Sequence, residues 1–503
     1  RNADPDYSEL QLAYFTYNRV EDPLGGTAGD KIIVADGDYL NVGGNGYFST
    51  IAMASWVSPT NENTMNYSYV DDYANGQTAD ATLAYGKTVA HLQNSYWVSI
   101  ADTDSIKQLI MDYGCVDTSL CYDTIFLENK IVNGVSDWYF YNPINDYQNH
   151  EISLVGWDDN IPASTFTKEI TDEYGVTNSY TPDVNGGWLV KNSHGTSSAN
   201  NGYFWVSYSD LSLNYQDSYR NNVVAYDFEP TDNYDYNYQY DGSCGIMELS
   251  SSQYSNIIYA ANVFTAQNGY QQLDAVGFYT TNTNMDYSIQ IYKITEDNTP
   301  IGEPMLATPV KGRKAYMGYH TVKLNESVVL QEGDKFSVVI QYTDTHPTLS
   351  GATIFADVSY SNSDMTFVSA FENGQGYYGI DGSNWIDCAD IEYNVGTIAN
   401  PEIYKGMNLR IKAFTNRISV EGVELSEEEC VIGIGDQKML TANPVPAYAT
   451  NQKLTWTSDD ETIVTVNENG QITGVKAGTA NVTVTTAEGG YTDSCIVKVM
   501  DKY

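Results

Sequence analysis

The alternation of apolar and polar positions divides the chain into one mixed part and two purely β parts. In the first part, the run 104–113 places Ile106, Leu109 and Ile110 on one helical face, with Asp104 or Ser105 as its N-terminal cap. Strand-like runs follow at 115–122, 151–157, 187–191 and 203–208. A helical half followed by an antiparallel half is the order of an α+β domain. The stretch 160–185, between two of these runs, reads as a surface insertion, which is tolerable because loop-closure entropy rises only slowly with length.

Beyond 222 the helical signal nearly vanishes. Runs at 275–279, 287–292, 320–324, 336–342 and 409–414 alternate apolar and polar residues between turns, which predicts a β-sandwich. After 418 the runs become shorter, at 454–458, 463–466, 470–478 and 480–484, and the remaining residues suffice for one small sandwich. A chain of 503 residues carries a prior of about three domains. The expected division is therefore 1–222, 223–417 and 418–503.

Charge narrows the choice of partner. Lys and Arg number 24 against 65 Asp and Glu, a net charge of −41, so nucleic acid and anionic membranes would both be repelled. With 43 tyrosines, 40 glycines and many Asn, Ser and Thr, the composition suits β-rich secreted domains with polar turns. No apolar run reaches the ~18 residues of a membrane span, and no charged-then-apolar leader opens the chain. The abrupt start at Arg1 is read as a processed or truncated end, and the expected location is extracellular or on a bacterial surface.

Two stretches carry candidate chemistry: Asn149-His150-Glu-Ile-Ser-Leu-Val-Gly-Trp157, and Gly187-Trp-Leu-Val-Lys-Asn192-Ser-His-Gly195 followed by Asn201-Gly-Tyr-Phe-Trp-Val-Ser-Tyr208. His150 opens one strand-like run and Asn192 closes another, so the fold can bring them together. A histidine oriented by an amide is half of a thiol-protease site, in which the imidazole deprotonates a cysteine and the amide holds the ring's tautomer and plane.

These segments resemble the His and Asn motifs of papain-family cysteine peptidases. Ser8-Glu-Leu-Gln-Leu-Ala-Tyr14 resembles the segment that follows the family's nucleophile helix, and Asn66-Tyr-Ser-Tyr69 sits where Tyr-Pro-Tyr is common. Gly43-Gly44 resembles the glycine pair whose backbone holds an extended substrate. The resemblance implies His150 and Asn192 as catalytic residues, Gly43 and Gly44 as substrate-binding, a protein or peptide as substrate, and no required cofactor. It also places the nucleophilic cysteine and the oxyanion glutamine before Arg1, on a companion segment that is separate, cleaved or missing. Cys115 and Cys121 lack the neighbours of a nucleophile helix, and His194 stands where the family has a tryptophan over the His–Asn bond.

The middle part, with Asn237-Tyr-Gln-Tyr-Asp-Gly242 and Ala261-Asn-Val-Phe-Thr-Ala266, resembles the lectin-like domain of clostridial surface cysteine proteases. The last part resembles bacterial immunoglobulin-like domains of group 2. The fold class expected is thus multidomain, with a papain-like α+β domain missing its N-terminal part followed by two all-β sandwiches. An oxidising exterior suggests disulfides Cys430–Cys495 and Cys244–Cys388, and buried thiols at Cys115 and Cys121. Asp232, Asp235, Asn237 and Asp241 faintly resemble a calcium loop without its terminal glutamate; an ordinary strand with Tyr234, Tyr236, Tyr238 and Tyr240 interleaved is the preferred reading. Two functions remain open: a surface cysteine endopeptidase, or a catalytically inactive adhesion or ligand-binding protein, with a cell-wall or glycan ligand as a further expected partner.

Overall fold

The computed structural model describes residues 6–132, 134–172, 174–197, 199–215, 223–251, 255–296, 298–346, 351–397 and 400–501. The protein is multidomain and mostly β, and its first two parts share one twelve-stranded sheet. From one edge, its order is Tyr236–Tyr238, Ile411–Arg417, Gln271–Thr280, Met317–Leu330, His91–Val98, Val223–Glu229, Val116–Leu120, His150–Asp158, Gly187–Lys191, Tyr203–Ser207, Val135–Phe140 and Leu127–Val132. The join between the parts is the antiparallel pairing of Met317, Gly318, Tyr319 and His320 with Trp97, Tyr96, Ser95 and Asn94. A bare sheet edge exposes unpaired N–H and C=O groups, so joining two edges satisfies both.

The boundary expected at 222 ends a stretch, 216–222, that lies outside the described residues. Strand Val223–Glu229 pairs with His91–Val98 and touches Val116–Leu120, so it belongs with the sheet of the first part. A second connection between the parts pairs Lys31–Val34 with Met365–Val368. Helix Gly46–Ala54 packs in one apolar cluster with Tyr319, Phe355 and Phe414.

Local rules account for the helices. Ser8 Oγ accepts from the Gln11 amide at 3.0 Å and starts helix Glu9–Tyr17, and Asn45 does the same for Gly46–Ala54 through the Phe48 amide. Helix Thr103–Tyr113 buries Ile106, Leu109 and Ile110 as predicted, but its cap is Asp102, which accepts from the Ser105 amide at 3.2 Å. Asp102 takes the role because the helix begins one residue earlier than the apolar pattern reveals. The insertion 160–185 carries the hairpin Lys168–Thr171 with Thr177–Tyr180 and is anchored rather than free, since Phe166 and Lys168 are buried. The Lys168 ammonium lies 3.0 Å from Glu128 and donates to the Ile125 carbonyl.

In the second part, strands Met285–Ile294, Lys335–Asp344 and Ile257–Thr265 form the centre of another sheet. Its inward residues, including Ile289, Ile291, Val338 and Ile340, share one apolar cluster with Leu273, Phe278 and Ile411 of the long sheet. The third part has its own core around Leu440, Val464, Ile472 and Val497, between sheets of four and three strands. No helix among the described residues is long and apolar enough to cross a membrane.

The cysteines depart from expectation. Cys430 and Cys495 are buried neighbours with sulfurs 3.9 Å apart, in contact but well beyond the ~2.05 Å of a disulfide. Cys244 and Cys388 are not paired either. Cys244 packs beside helix Gly46–Ala54 with Arg19 Nη2 3.2 Å from its sulfur, whereas Cys388 sits in the core between the two sheets. Cys121 is buried as expected, but Cys115 is exposed, because it follows the left-handed Gly114 that ends the helix and precedes the strand.

Within the region 232–241 the chain forms strand Tyr236–Tyr238. Asp235 pairs with Arg417, and Asp241 is buried against Lys412 at 2.8 Å and Arg410 at 3.4 Å. Among the described residues, no group of three or more His, Cys, Asp or Glu is arranged to hold a metal. Arg410 also reaches Asp357 at 3.3 Å, all of them almost wholly buried. Beside this cluster, Asp30 of the first part accepts from the amides of Gly242 and Ala370 at 2.7 Å. Replacing Arg410 by methionine leaves Asp357 without its cation in a dry interior. The expected loss is about 3–5 kcal/mol, read as a lower urea midpoint with an unchanged slope.

Candidate active site

The site is assembled at one end of three adjacent strands. Val116–Leu120 pairs with His150–Asp158 so that Leu120 faces His150, and His150–Asp158 pairs with Gly187–Lys191 on its other side. An irregularity between Leu154 and Gly156 shifts the second register by one residue, and the chain leaves the sheet at Lys191. Asn192 therefore turns back toward His150, and the Asn192 amide nitrogen is held by the Gly202 carbonyl at 2.9 Å.

His150 Nε2 lies 2.7 Å from Asn192 Oδ1. A carboxamide oxygen only accepts, so Nε2 carries the proton and Nδ1 is left as the basic nitrogen. The Ser193 amide donates to the same Oδ1 at 2.8 Å, which fixes the flip of the carboxamide. Burial holds the His150 pKa below the ordinary histidine value, the bond to Asn192 opposes that shift, and nearby His194 adds to it. The imidazole is thus neutral at neutral pH, the state a general base needs.

Two rings cover the pair. His194 lies with its ring centre 4.9 Å from that of His150, and Asn192 Nδ2 donates to His194 Nδ1 at 3.3 Å. Tyr122 stands 5.2 Å from both imidazoles, with its edge toward His194, and its hydroxyl interacts with the Asn192 side chain. Tyr122 is itself fixed by stacking on Phe140 and by its amide, which donates to Asn149 Oδ1 at 2.8 Å. His194 was identified from the sequence; Tyr122 was not, because one aromatic among 43 tyrosines carries no signal of its own.

His150 shares a cleft of about 610 Å³ with Gly43 and Gly44, which the sequence had marked separately. Gly43 has φ 84°, a conformation that favours glycine, and a Cβ on it would meet nothing. Its carbonyl accepts from the Tyr17 hydroxyl, while a Cβ on Gly44 would come 3.3 Å from that same oxygen. The far wall carries two carboxylates that sequence reasoning missed, Asp117 and Glu151. Alternation along paired strands turns Asp117, Ser119, Glu151 and Ser153 to this one side. Asp117 accepts from Ser153 Oγ at 2.9 Å and Glu151 from Ser119 Oγ. Burial pushes Asp117 up to about 6, against the opposing bond from Ser153.

Neither nearby thiol reaches His150. Cys115 lies five residues from Leu120 along an extended chain, about 17 Å. Cys121 is fully buried, with its amide donating to Ser212 Oγ and Asn145 Nδ2 3.8 Å from its sulfur.

Residues 237–415 match the family model of the lectin-like domain, and 419–497 match that of the bacterial Ig-like domain, group 2. The chain therefore carries both domains. Among solved structures, it resembles the clostridial cysteine protease Cwp84 after propeptide cleavage. The identity is 21%, covering 82% of this chain and 89% of that one, with a TM-score of 0.61. The cysteine protease and lectin-like domains of Cwp84, a surface-layer-associated protein of Clostridium difficile, match at 20% identity over 82% and 86%, with a TM-score of 0.57. At such identities the likeness shows a common fold. Curated relatives include an α-L-arabinofuranosidase of Bifidobacterium longum, 28% identical over 31% of this chain and 13% of that protein. Another is an Ig-like virion protein of a Serratia phage, 34% identical over 32% and 58%. Each of these two matches spans less than two thirds of the relative's own length.

The acidic wall gives a pH test. A carboxyl whose folded-state pKa is raised stabilises the fold below its unfolded pKa and loses that contribution as pH rises. For Asp117 the window runs from about 4 to about 6. An Asp117→Asn variant should show a flatter fall in melting temperature across that window than the parent, measured by thermal unfolding at stepped pH.

Proposed function

We propose that this chain is the histidine- and asparagine-bearing part of a papain-like cysteine endopeptidase acting outside the cell or at a bacterial surface. In this reading the first part is a papain-like α+β domain and the two that follow are β-sandwiches. The carrying observation is the 2.7 Å bond between His150 and Asn192 at the head of a cleft that also contains Gly43 and Gly44. The fold shared with Cwp84 supports the same reading.

In the proposed reaction, His150 Nδ1 takes the proton of a cysteine thiol, and the thiolate attacks the peptide carbonyl. The tetrahedral intermediate collapses as the imidazolium returns that proton to the leaving amine, giving an acyl-enzyme that water then hydrolyses with His150 again as base. Asn192 holds the ring through Nε2–H, and the rings of Tyr122 and His194 pack against the imidazole. Gly43 and Gly44 offer backbone groups to an extended substrate. The cysteine and the glutamine that completes the oxyanion hole belong, in this proposal, to a companion segment, and the chemistry requires no cofactor. The bacterial Ig-like domain fits a spacer or adhesive role at the surface.

One observation favours a second reading, in which the cleft binds without cleaving: among the described residues, no cysteine lines it. The readings separate on native material. A thiol-directed epoxide should label a cysteine-containing peptide that co-purifies with this chain, identified by intact mass. His150→Ala in that complex should lower kcat/KM about 10²–10⁴-fold, with the acid limb of the parent's pH profile below the ordinary histidine value of about 6.5. No labelled companion and no turnover would leave the non-catalytic reading.

A further inference from the structure

The carboxamide that aims His150 is bonded on both its oxygen and its nitrogen, and one of its partners can change charge. An amide side chain has two acceptor sites on oxygen and two hydrogens on nitrogen. Asn192 Oδ1 accepts from His150 Nε2–H at 2.7 Å and from the Ser193 amide at 2.8 Å. Asn192 Nδ2 donates to His194 Nδ1 at 3.3 Å, and the Asn192 side chain also interacts with the Tyr122 hydroxyl. Asn192 itself is buried, so water does not readily replace any of these partners.

The bond to His194 exists only while His194 Nδ1 is an acceptor. An amide nitrogen can only donate, so His194 Nδ1 carries no proton and the ring's proton sits on Nε2. His194 is exposed to water, and histidine is the side chain whose charge changes between about pH 5 and 8. A proton gained at Nδ1 sets N–H against N–H and removes a support of the amide. Turning the carboxamide over would satisfy that proton, but it would present NH2 to His150 Nε2–H and to the Ser193 amide, both of them donors.

The same proton also brings charge. The ring centres of His194 and His150 are 4.9 Å apart, and the proposed reaction requires His150 itself to become a cation. Two like charges at that distance repel, the more so where burial limits screening. His194 is already among the groups that hold the His150 pKa down. The other titratable group in contact with both rings is Tyr122, whose phenol burial pushes up, so it stays neutral over this range. Glu151 and Lys191 turn to the opposite side of their strands, in register with Ser119 and Ser153. Among the described residues, no carboxylate pairs with either imidazole to relieve the repulsion.

We infer that His194 is a positioning residue for His150: neutral, it fixes the Asn192 carboxamide, and protonated, it releases that carboxamide and repels the imidazolium, so acid turns the site off. This rests on the peptidase reading above and adds to it a second proton that must be absent for the site to work. His194 acts through Asn192 and touches neither substrate nor reacting atoms.

The first arm of the test needs no cysteine. The whole chain, with its five histidines labelled with nitrogen-15, is titrated by NMR from about pH 8 to about pH 5. At the start both His150 and His194 should carry their proton on Nε2, and the His150 Nε2 signal should move as His194 gains its second proton. His194→Gln keeps an acceptor for Asn192 Nδ2 and never gains charge, so His150 should titrate at higher pH than in the parent. His194→Lys only donates and stays charged, so His150 should titrate at lower pH. The second arm uses the complex with the companion segment. There the ratio of kcat/KM at about pH 8 to that at about pH 5 should be about 10-fold larger for the parent than for His194→Gln. Identical titration of His150 in the parent and both variants overturns the inference, as does an equal ratio in an active complex. Coupled titration in a chain that yields no active complex supports the coupling and removes the peptidase reading.

Discussion

The pairing of Met317–His320 with Asn94–Trp97 is the interaction on which the rest of the architecture depends. Each of these strands would otherwise end its own sheet with unpaired backbone groups, and neither could be left bare inside a protein. Closing one edge on the other makes a single sheet whose one half carries His150 and whose other half carries the lectin-like core. The second pairing, Lys31–Val34 with Met365–Val368, and the shared cluster of Tyr47, Ile51, Tyr319, Phe355 and Phe414 then leave the two parts little freedom to rotate.

Burial of charge at this junction has a consequence for specificity as well as stability. Arg410, Lys412, Asp241 and Asp357 are all nearly inaccessible, and Asp30 of the first part bonds backbone amides beside them. A cluster of this kind gains little over an apolar core of equal volume, but it penalises any arrangement that leaves one member alone. It therefore favours one arrangement of the second part's own strands, beside which Asp30 of the first part is bonded.

At the other end of the sheet, the same balance of burial and bonding sets the chemistry. The His150 pKa is lowered by partial desolvation and its ring is aimed by Asn192, while the rings of Tyr122 and His194 stand over the pair. The carboxyl of Asp117, raised by burial to about 6, makes the cleft wall one whose charge changes below neutrality.

Sequence alone was enough for what depends on local order. The strands around His150 and Asn192, the helical face of Ile106, Leu109 and Ile110, and the two β-rich regions all follow from periodicity over a few residues. The candidate residues His150, Asn192, Gly43 and Gly44 were legible because each sits in a motif of adjacent positions. Tyr122 and Asp117 were not, since each joins the site only through pairing with a strand some thirty residues away, and Glu151, although next to His150, shares a wall with Asp117 only through that same pairing. The same holds for the cysteines, for which a shared place in the second part suggested Cys244 with Cys388 while packing put them in separate cores. Nor could periodicity show that Val223–Glu229 belongs to the first sheet. Period and propensity determine which residues form a strand and which face they turn inward, but which strands become neighbours is decided by closing exposed edges and filling a common core.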